Sequence, residues 1–113
     1  MFDDVAAVSL QTAIAGLSAR QQMTAQNIAN VETPGYTAHT VSFEQSLASA
    51  IAGGDPSQAV ITTGASTAQA GLNGNNVSIG DEMVTATKTG LQEKLVMGGI
   101  TAKYELYSTV LKG

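Results

Sequence analysis

The sequence predicts an all-α fold: two long terminal helices of coiled-coil character, joined by a turn, a short helix and a flexible loop, and completed only on assembly into a polymer. Three observations predict it. Apolar residues recur at alternating spacings of three and four near both ends of the chain. Only 12% of residues are charged, against about 25% in ordinary soluble domains. The hydrophobic 43% leans on alanine, with two Phe, three Tyr and no Trp in 113 residues. Such a chain neither packs a rich core alone nor surrounds itself with ions. Interface cores are depleted of charge in the same way.

Residues 4–30 read as the first helix. Leu10, Ile14, Leu17, Gln21, Thr24, Ile28 and Val31 form a heptad seam. Gln21 and Thr24 are polar members, which weaken a helix pair but fix its register. Alanines cover much of the remaining surface, so neighbouring helices can approach closely. Arg20 is the only charge between Val5 and Val31. A helix lying in water carries more charge on its outer face, so this one is expected to be surrounded by other helices. At 1.5 Å per residue it is about 40 Å long.

The helix stops within Ala25–Tyr36. Asn30 tolerates the left-handed conformation of a helix C-terminus. Thr33 precedes a proline and is pushed to extended backbone. Pro34 and Gly35 supply the φ angles of a type II turn. Tyr36 offers an apolar ring and a hydroxyl that needs a partner.

Residues 31–77 form the middle segment. Ser42 with Gln45 reads as a capping box for a short helix from Phe43 to Ala52, with Phe43, Leu47, Ala50 and Ile51 on one face. Gly53-Gly54-Asp55-Pro56 ends it. Ala59–Asn76 reads as loop, or at best a brief strand near Val60–Thr63, because it has too little apolar surface to offset its ordering entropy.

Residues 78–112 read as the second long helix. Ser78 caps it, and Asp81 and Glu82 complement the dipole in its first turn. Met83, Ala86, Gly90, Glu93, Met97, Ile100, Tyr104, Tyr107 and Leu111 alternate by three and four. Val84, Leu91, Leu95, Gly98 and Ala102 make an adjacent stripe. Two stripes imply more than one neighbour. Gly90, Gly98 and Gly99 each cost up to about 1 kcal/mol relative to alanine. Two readings stand: an interruption near Gly98-Gly99, or close backbone approach.

Several function classes are excluded. The net charge is −4 and Arg20, Lys88, Lys94, Lys103 and Lys112 do not cluster, which speaks against nucleic acid and anionic membranes. No run approaches the ~20 apolar residues of a membrane span. Met1-Phe2-Asp3-Asp4 is acidic where a cleaved signal is basic. There is no cysteine, and His39 is the only histidine, so no metal site is expected. The pairs Asp3-Asp4 and Asp81-Glu82 sit at helix starts, where the dipole explains them. Gly71–Gly80 lacks the lysine of a phosphate loop. No catalytic, cofactor or metal site can be assembled, and the chain is expected not to be an enzyme.

Asn27-Ile28-Ala29-Asn30, two spacers, then Thr33-Pro34-Gly35-Tyr36 resembles the N-terminal motif of the axial proteins of the bacterial flagellum: rod, hook and hook-associated proteins. Gly74-Asn75-Asn76-Val77 followed by Asp81-Glu82-Met83 resembles the lead-in to the C-terminal helix of the rod members, most of all the proximal-rod type. The resemblance covers both ends of the chain.

It implies a structural subunit of the basal-body rod, exported uncleaved by the flagellar type III apparatus and folded into the helical shaft that crosses the periplasm and transmits torque. The implied partners are further copies, rod subunits of the FlgC, FlgF and FlgG types, the FliE adaptor, the export gate and the MS-ring region. Neither nucleic acid nor a direct membrane span is implied, and no cofactor. The assembly motif would be Asn27, Ile28, Ala29, Asn30, Thr33, Pro34, Gly35 and Tyr36. The packing seam would be Leu10, Ile14, Leu17, Ile28, Val31, Met83, Leu91, Leu95, Met97, Ile100, Tyr104, Tyr107 and Leu111. A FlgC-like rod subunit and a non-flagellar secreted filament or adaptor subunit are the alternatives.

Overall fold

Helix α1 spans Val5–Ala29. Asp4 caps it, its carboxylate accepting from the Ala7 N–H at 2.7 Å, so one donor left open at the helix start is satisfied. The computed structural model describes residues 4–112, without the Tyr107 side chain. Asp3 of the expected acidic pair and the Tyr107 seam position therefore lie outside the described residues.

The chain then turns into strand β1, His39–Ser42, and helix α2, Glu44–Ala52. A single 3-10 turn follows at Pro56–Gln58, then strand β2, Thr62–Ala65, and helix α3, Ile79–Lys112. Ser78 caps α3, its hydroxyl accepting from the Asp81 N–H at 3.3 Å.

α1 and α3 run antiparallel, and side chains mark their register. Lys103 pairs with Asp4 at 3.2 Å, Gly99 lies against Leu10, Gln21 donates to the Ala86 carbonyl at 3.0 Å, and Asn27 donates to Glu82 at 2.8 Å. Thr24 and Thr89 are buried in this seam. α3 passes unbroken through Gly98-Gly99, so close approach is the right reading for Gly99. A methyl there would sit 3.3 Å from a Leu10 methyl.

The sequence-based picture needs three corrections. First, the fold is mostly helical but not strictly all-α: β1 and β2 form an antiparallel pair, with His39 opposite Ala65 and Ser42 opposite Thr62. The pair is favoured because Val41 is buried while α1 side chains satisfy the outer edge of β1. Second, Ser42 and Gln45 form no capping box. Ser42 belongs to β1, and the N-cap of α2 is Phe43, with no side-chain capping bond. Burial of the Phe43 ring holds the backbone there in place of a cap. Third, Asn30 is not left-handed, with φ −105°; its side chain ends the helix instead, as described below.

The core is small. Leu17, Val41 and Phe43 form its centre, with Ala13, Ala19, Met23, Leu47 and Val96 packed around them. Phe43 lies on Gly16, where a Cβ would clash with the ring carbons. The accessible surface is 7031 Å², against roughly 5,800 Å² for a compact monomer of this mass. The radius of gyration is 17.5 Å, against roughly 13 Å for a compact chain of this length. The chain is extended, and much of its surface is exposed.

Candidate functional site

The motif after α1 folds into a clasp built largely from asparagines. It begins where α1 ends. The Asn30 side chain donates back to the Gln26 carbonyl at 2.8 Å and accepts from the Thr33 hydroxyl at 3.1 Å. This bonding to its own backbone is typical of Asn and breaks a helix without left-handed φ. The Tyr36 N–H then bonds the Thr33 carbonyl at 3.2 Å across Pro34-Gly35. Gly35 has φ +74°, which is the expected type II turn.

The Gly74-Asn75-Asn76 stretch closes over this turn from the other side of the chain. Asn75 donates to the carbonyls of Asn30 and Thr33, both at 2.8 Å, giving each a second bond beside the one it accepts from the Thr33 or Tyr36 N–H. Its own oxygen accepts from the Val77 N–H at 2.7 Å. The Gly35 N–H reaches the Asn73 carbonyl at 2.9 Å. Gly74, with φ +79°, comes so near that a Cβ would lie 3.3 Å from the Gly35 Cα. Asn76 accepts from the Ala38 N–H at 2.7 Å and donates to the carbonyls of Ser66 and Ala68.

Asn27 is the pin of the clasp, 1% exposed. Its amide nitrogen donates to the His39 carbonyl and to Glu82, both at 2.8 Å. Its oxygen accepts from the Tyr36 hydroxyl at 3.2 Å and the His39 N–H at 3.1 Å. Those four bonds saturate an asparagine. One side chain thereby ties α1 to the turn, to β1 and to α3. No buried side-chain N or O among the described residues lacks a partner.

A second tie sits on the same face of α1, two turns earlier. Arg20 grips Glu44 with two hydrogen bonds of 2.6 and 2.7 Å and donates to the Val41 carbonyl at 2.6 Å. Its guanidinium lies 5.0 Å from the Phe43 ring centre, a cation–π distance. The hydrogen bond from Arg20 holds the Glu44 carboxyl down at about 2, and the same bond raises the Arg20 pKa.

The motif residues are thus brought together, with Ile28 half-buried and Ala29, Thr33 and Pro34 at the surface. The proposed seam divides. Leu17 is buried, while Leu10, Ile14, Ile28, Val31 and Ile100 are half-buried. Met83, Leu91, Leu95, Met97, Tyr104 and Leu111 are exposed. α1 lies on a stripe of α3 that includes Glu82, Ala86, Thr89, Val96, Gly99 and Ile100, mostly polar or small. Most large apolar residues of α3 face outward, Leu95 being 77% exposed and Val84 67%, while Val96 and Ile100 are half-buried. Beside Leu95, an apolar groove runs between α2 and α3 over Leu17, Phe43, Leu47, Ile51 and Val96.

Residues 9–37 match the family model described as "Flagella basal body rod protein", a span that takes in most of α1 and closes just past the Pro34-Gly35 turn. The whole chain is similar to the "Flagellar basal body rod protein FlgB" of Bacillus subtilis (strain 168). Identity is 28% over 120 aligned positions, covering 93% of this chain and 92% of the relative. The chain resembles the flagellar rod proteins, FlgB among them. The rod-type match is centred on α1 and its turn, the half of the clasp that the sequence motif marks.

Sequence reasoning missed three positions in this site. Gly16 carries no sequence signal of its own, yet it is the seat of Phe43. Arg20 was noted for its isolation and not for Glu44. Asn75 was read as part of a lead-in to α3, whereas its side chain caps the end of α1. A lone charge on a neutral helix and one of only two phenylalanines were the available signals.

Proposed function

We propose that this chain is a structural subunit of the flagellar basal-body rod, FlgB-like, and that the outward face of α3 is where rod neighbours pack. It acts as a structural element and not as an enzyme. The observation that carries the reading is the inverted face of α3. Mostly small and polar side chains of α3 meet α1, while Val84, Leu91 and Leu95 face out. A contiguous apolar stripe on a long exposed helix marks a surface for a partner.

The rod reading also supplies a reason for the clasp. It fixes the antiparallel register of α1 and α3 through hydrogen bonds, which are directional, so the outer face is presented at one geometry. The terminal helices have a small core between them, so they are suited to pass the flagellar type III export channel loosely folded and to gain order on docking. In the assembled shaft they would transmit torque across the periplasm. The partners in this reading are further copies, the FlgC-, FlgF- and FlgG-type rod subunits, the FliE adaptor, and the export gate and MS-ring region.

The test is complementation of a strain lacking the gene with Leu91→Gln plus Leu95→Gln. The expected result is an exported subunit, no completed rod and no swimming. Normal motility and normal basal bodies would overturn the role given to this face.

A further inference from the structure

The two outer edges of the small sheet are treated differently. Residues 38 and 66 form a hydrogen-bonded pair, since the Ser66 N–H donates to the Ala38 carbonyl at 2.8 Å within the antiparallel register. By the alternation of antiparallel ladders, Thr40 with Gly64 and Ser42 with Thr62 are also bonded pairs. His39 and Val41 therefore point their backbone groups away from β2, and Thr63 and Ala65 point theirs away from β1.

The β1 edge is covered. Asn27 takes both the N–H and the carbonyl of His39, and Arg20 takes the Val41 carbonyl. The β2 edge is bare. Thr63 and Ala65 have no outward backbone partner among the described residues, and all four strand residues are exposed. Edge strands are ordinarily blunted by charge, proline, bulges or shortness. Here only shortness applies. No charged residue occurs between Asp55 and Asp81.

We propose that free subunits pair with one another through β2, edge to edge, about a two-fold axis at Gly64. The geometry is self-complementary. An antiparallel second copy places Thr63 opposite Ala65 of the other strand, and Ala65 opposite its Thr63, as two bonded pairs exchanging four hydrogen bonds. Gly64 then faces its own counterpart at the non-bonded position, where backbones come nearest and a side chain is absent. The chain carries a net charge of −4, and this uncharged stretch lets a second copy approach without a like charge opposite. The contact uses up the edge on both copies, so it closes at two and does not propagate. It does not rest on the rod reading: a two-fold reverses one copy, so the pair belongs to subunits outside any polar shaft.

The contact is short, so a covalent trap reads it best. The chain has no cysteine, and a Cβ at Gly64 or at Gly98 meets nothing within 4 Å. Purified full-length Gly64→Cys and Gly98→Cys are oxidised at equal concentration and resolved without reductant. The expected result is disulfide dimer at Gly64→Cys at least about tenfold faster, because pairing raises the local thiol concentration. Adding Thr63→Lys with Ala65→Lys should abolish that excess. Mixing this protein with a tagged Gly64→Cys copy carrying Thr63→Glu and Ala65→Glu should restore it as heterodimer, since opposite charges then face across each pair. Circular dichroism verifies that every variant stays helical. Equal rates at the two cysteines, or a rate indifferent to the Lys and Glu substitutions, would overturn the proposal.

Discussion

The two long helices meet the rest of the molecule in opposite ways at the clasp and along the outer face of α3. At the clasp the chemistry is polar, buried and saturated: Asn27 makes four hydrogen bonds while 1% exposed. Along the outer face of α3 it is apolar, exposed and uncovered by any other described residue. The usual arrangement, apolar in and polar out, is reversed at both places. In the proposed rod subunit the difference separates two tasks. Directional bonds fix one geometry inside the subunit, and non-directional apolar surface is left for assembly, where area and not angle sets the strength.

The comparison breaks most sharply at Asn27. Asn27→Ala should destabilise the subunit by roughly 3 kcal/mol, because half-buried partners on His39, Tyr36 and Glu82 lose their bonds together. Urea unfolding of the purified chain measures it. A loss below that of an exposed alanine substitution would mean that the clasp closes without its pin. Next comes Gly16→Ala, expected to cost about 1–3 kcal/mol by overpacking against Phe43. Its thermal midpoint should fall while Gly98→Ala, at an open position, does not fall.

The Arg20–Glu44 tie predicts a smaller, pH-dependent effect. The Glu44 carboxyl is held below its ordinary 4.5 at about 2. A depressed folded-state pKa stabilises above the unfolded value, so the contribution is whole above pH 4.5 and is lost as pH falls from there toward about 2. Glu44 is half exposed, and solvent screening holds the effect to at most about 1 kcal/mol. Unfolding followed across this window should show a slope that Glu44→Gln removes. The smallest effect on the free subunit belongs to Leu91→Gln plus Leu95→Gln, expected to change its stability by less than about 0.5 kcal/mol, although it should prevent rod completion. A large loss of stability there would show that the face is already covered within the subunit.

Much of this was legible in the sequence because it is local. The ends of α1 and α3, the type II turn at Pro34-Gly35 and the Ser78 cap follow from residue type and spacing alone. The second stripe, Val84, Leu91 and Leu95, was legible as an apolar period but not as an outward one. Periodicity shows that a face exists and leaves open which neighbour takes it. What escaped was non-local. Thr62–Ala65 has weak strand character, and it pairs because β1 is held on its far edge by Asn27 and Arg20, residues from another element. Asn30 was expected to turn by its backbone and turns by its side chain. The Ser42–Gln45 box lost to burial of Phe43, since a ring seated on Gly16 outweighs a capping bond available in water.

The central claim is that the outer face of α3 is bare in the free subunit and buried in the assembled rod. With no native cysteine to compete, Leu95→Cys reports on it directly. Its reaction with a maleimide is compared in purified subunit and in isolated basal bodies from complemented cells. The account predicts rapid labelling of the free subunit and strong protection in the basal body. Equal labelling in both would contradict it.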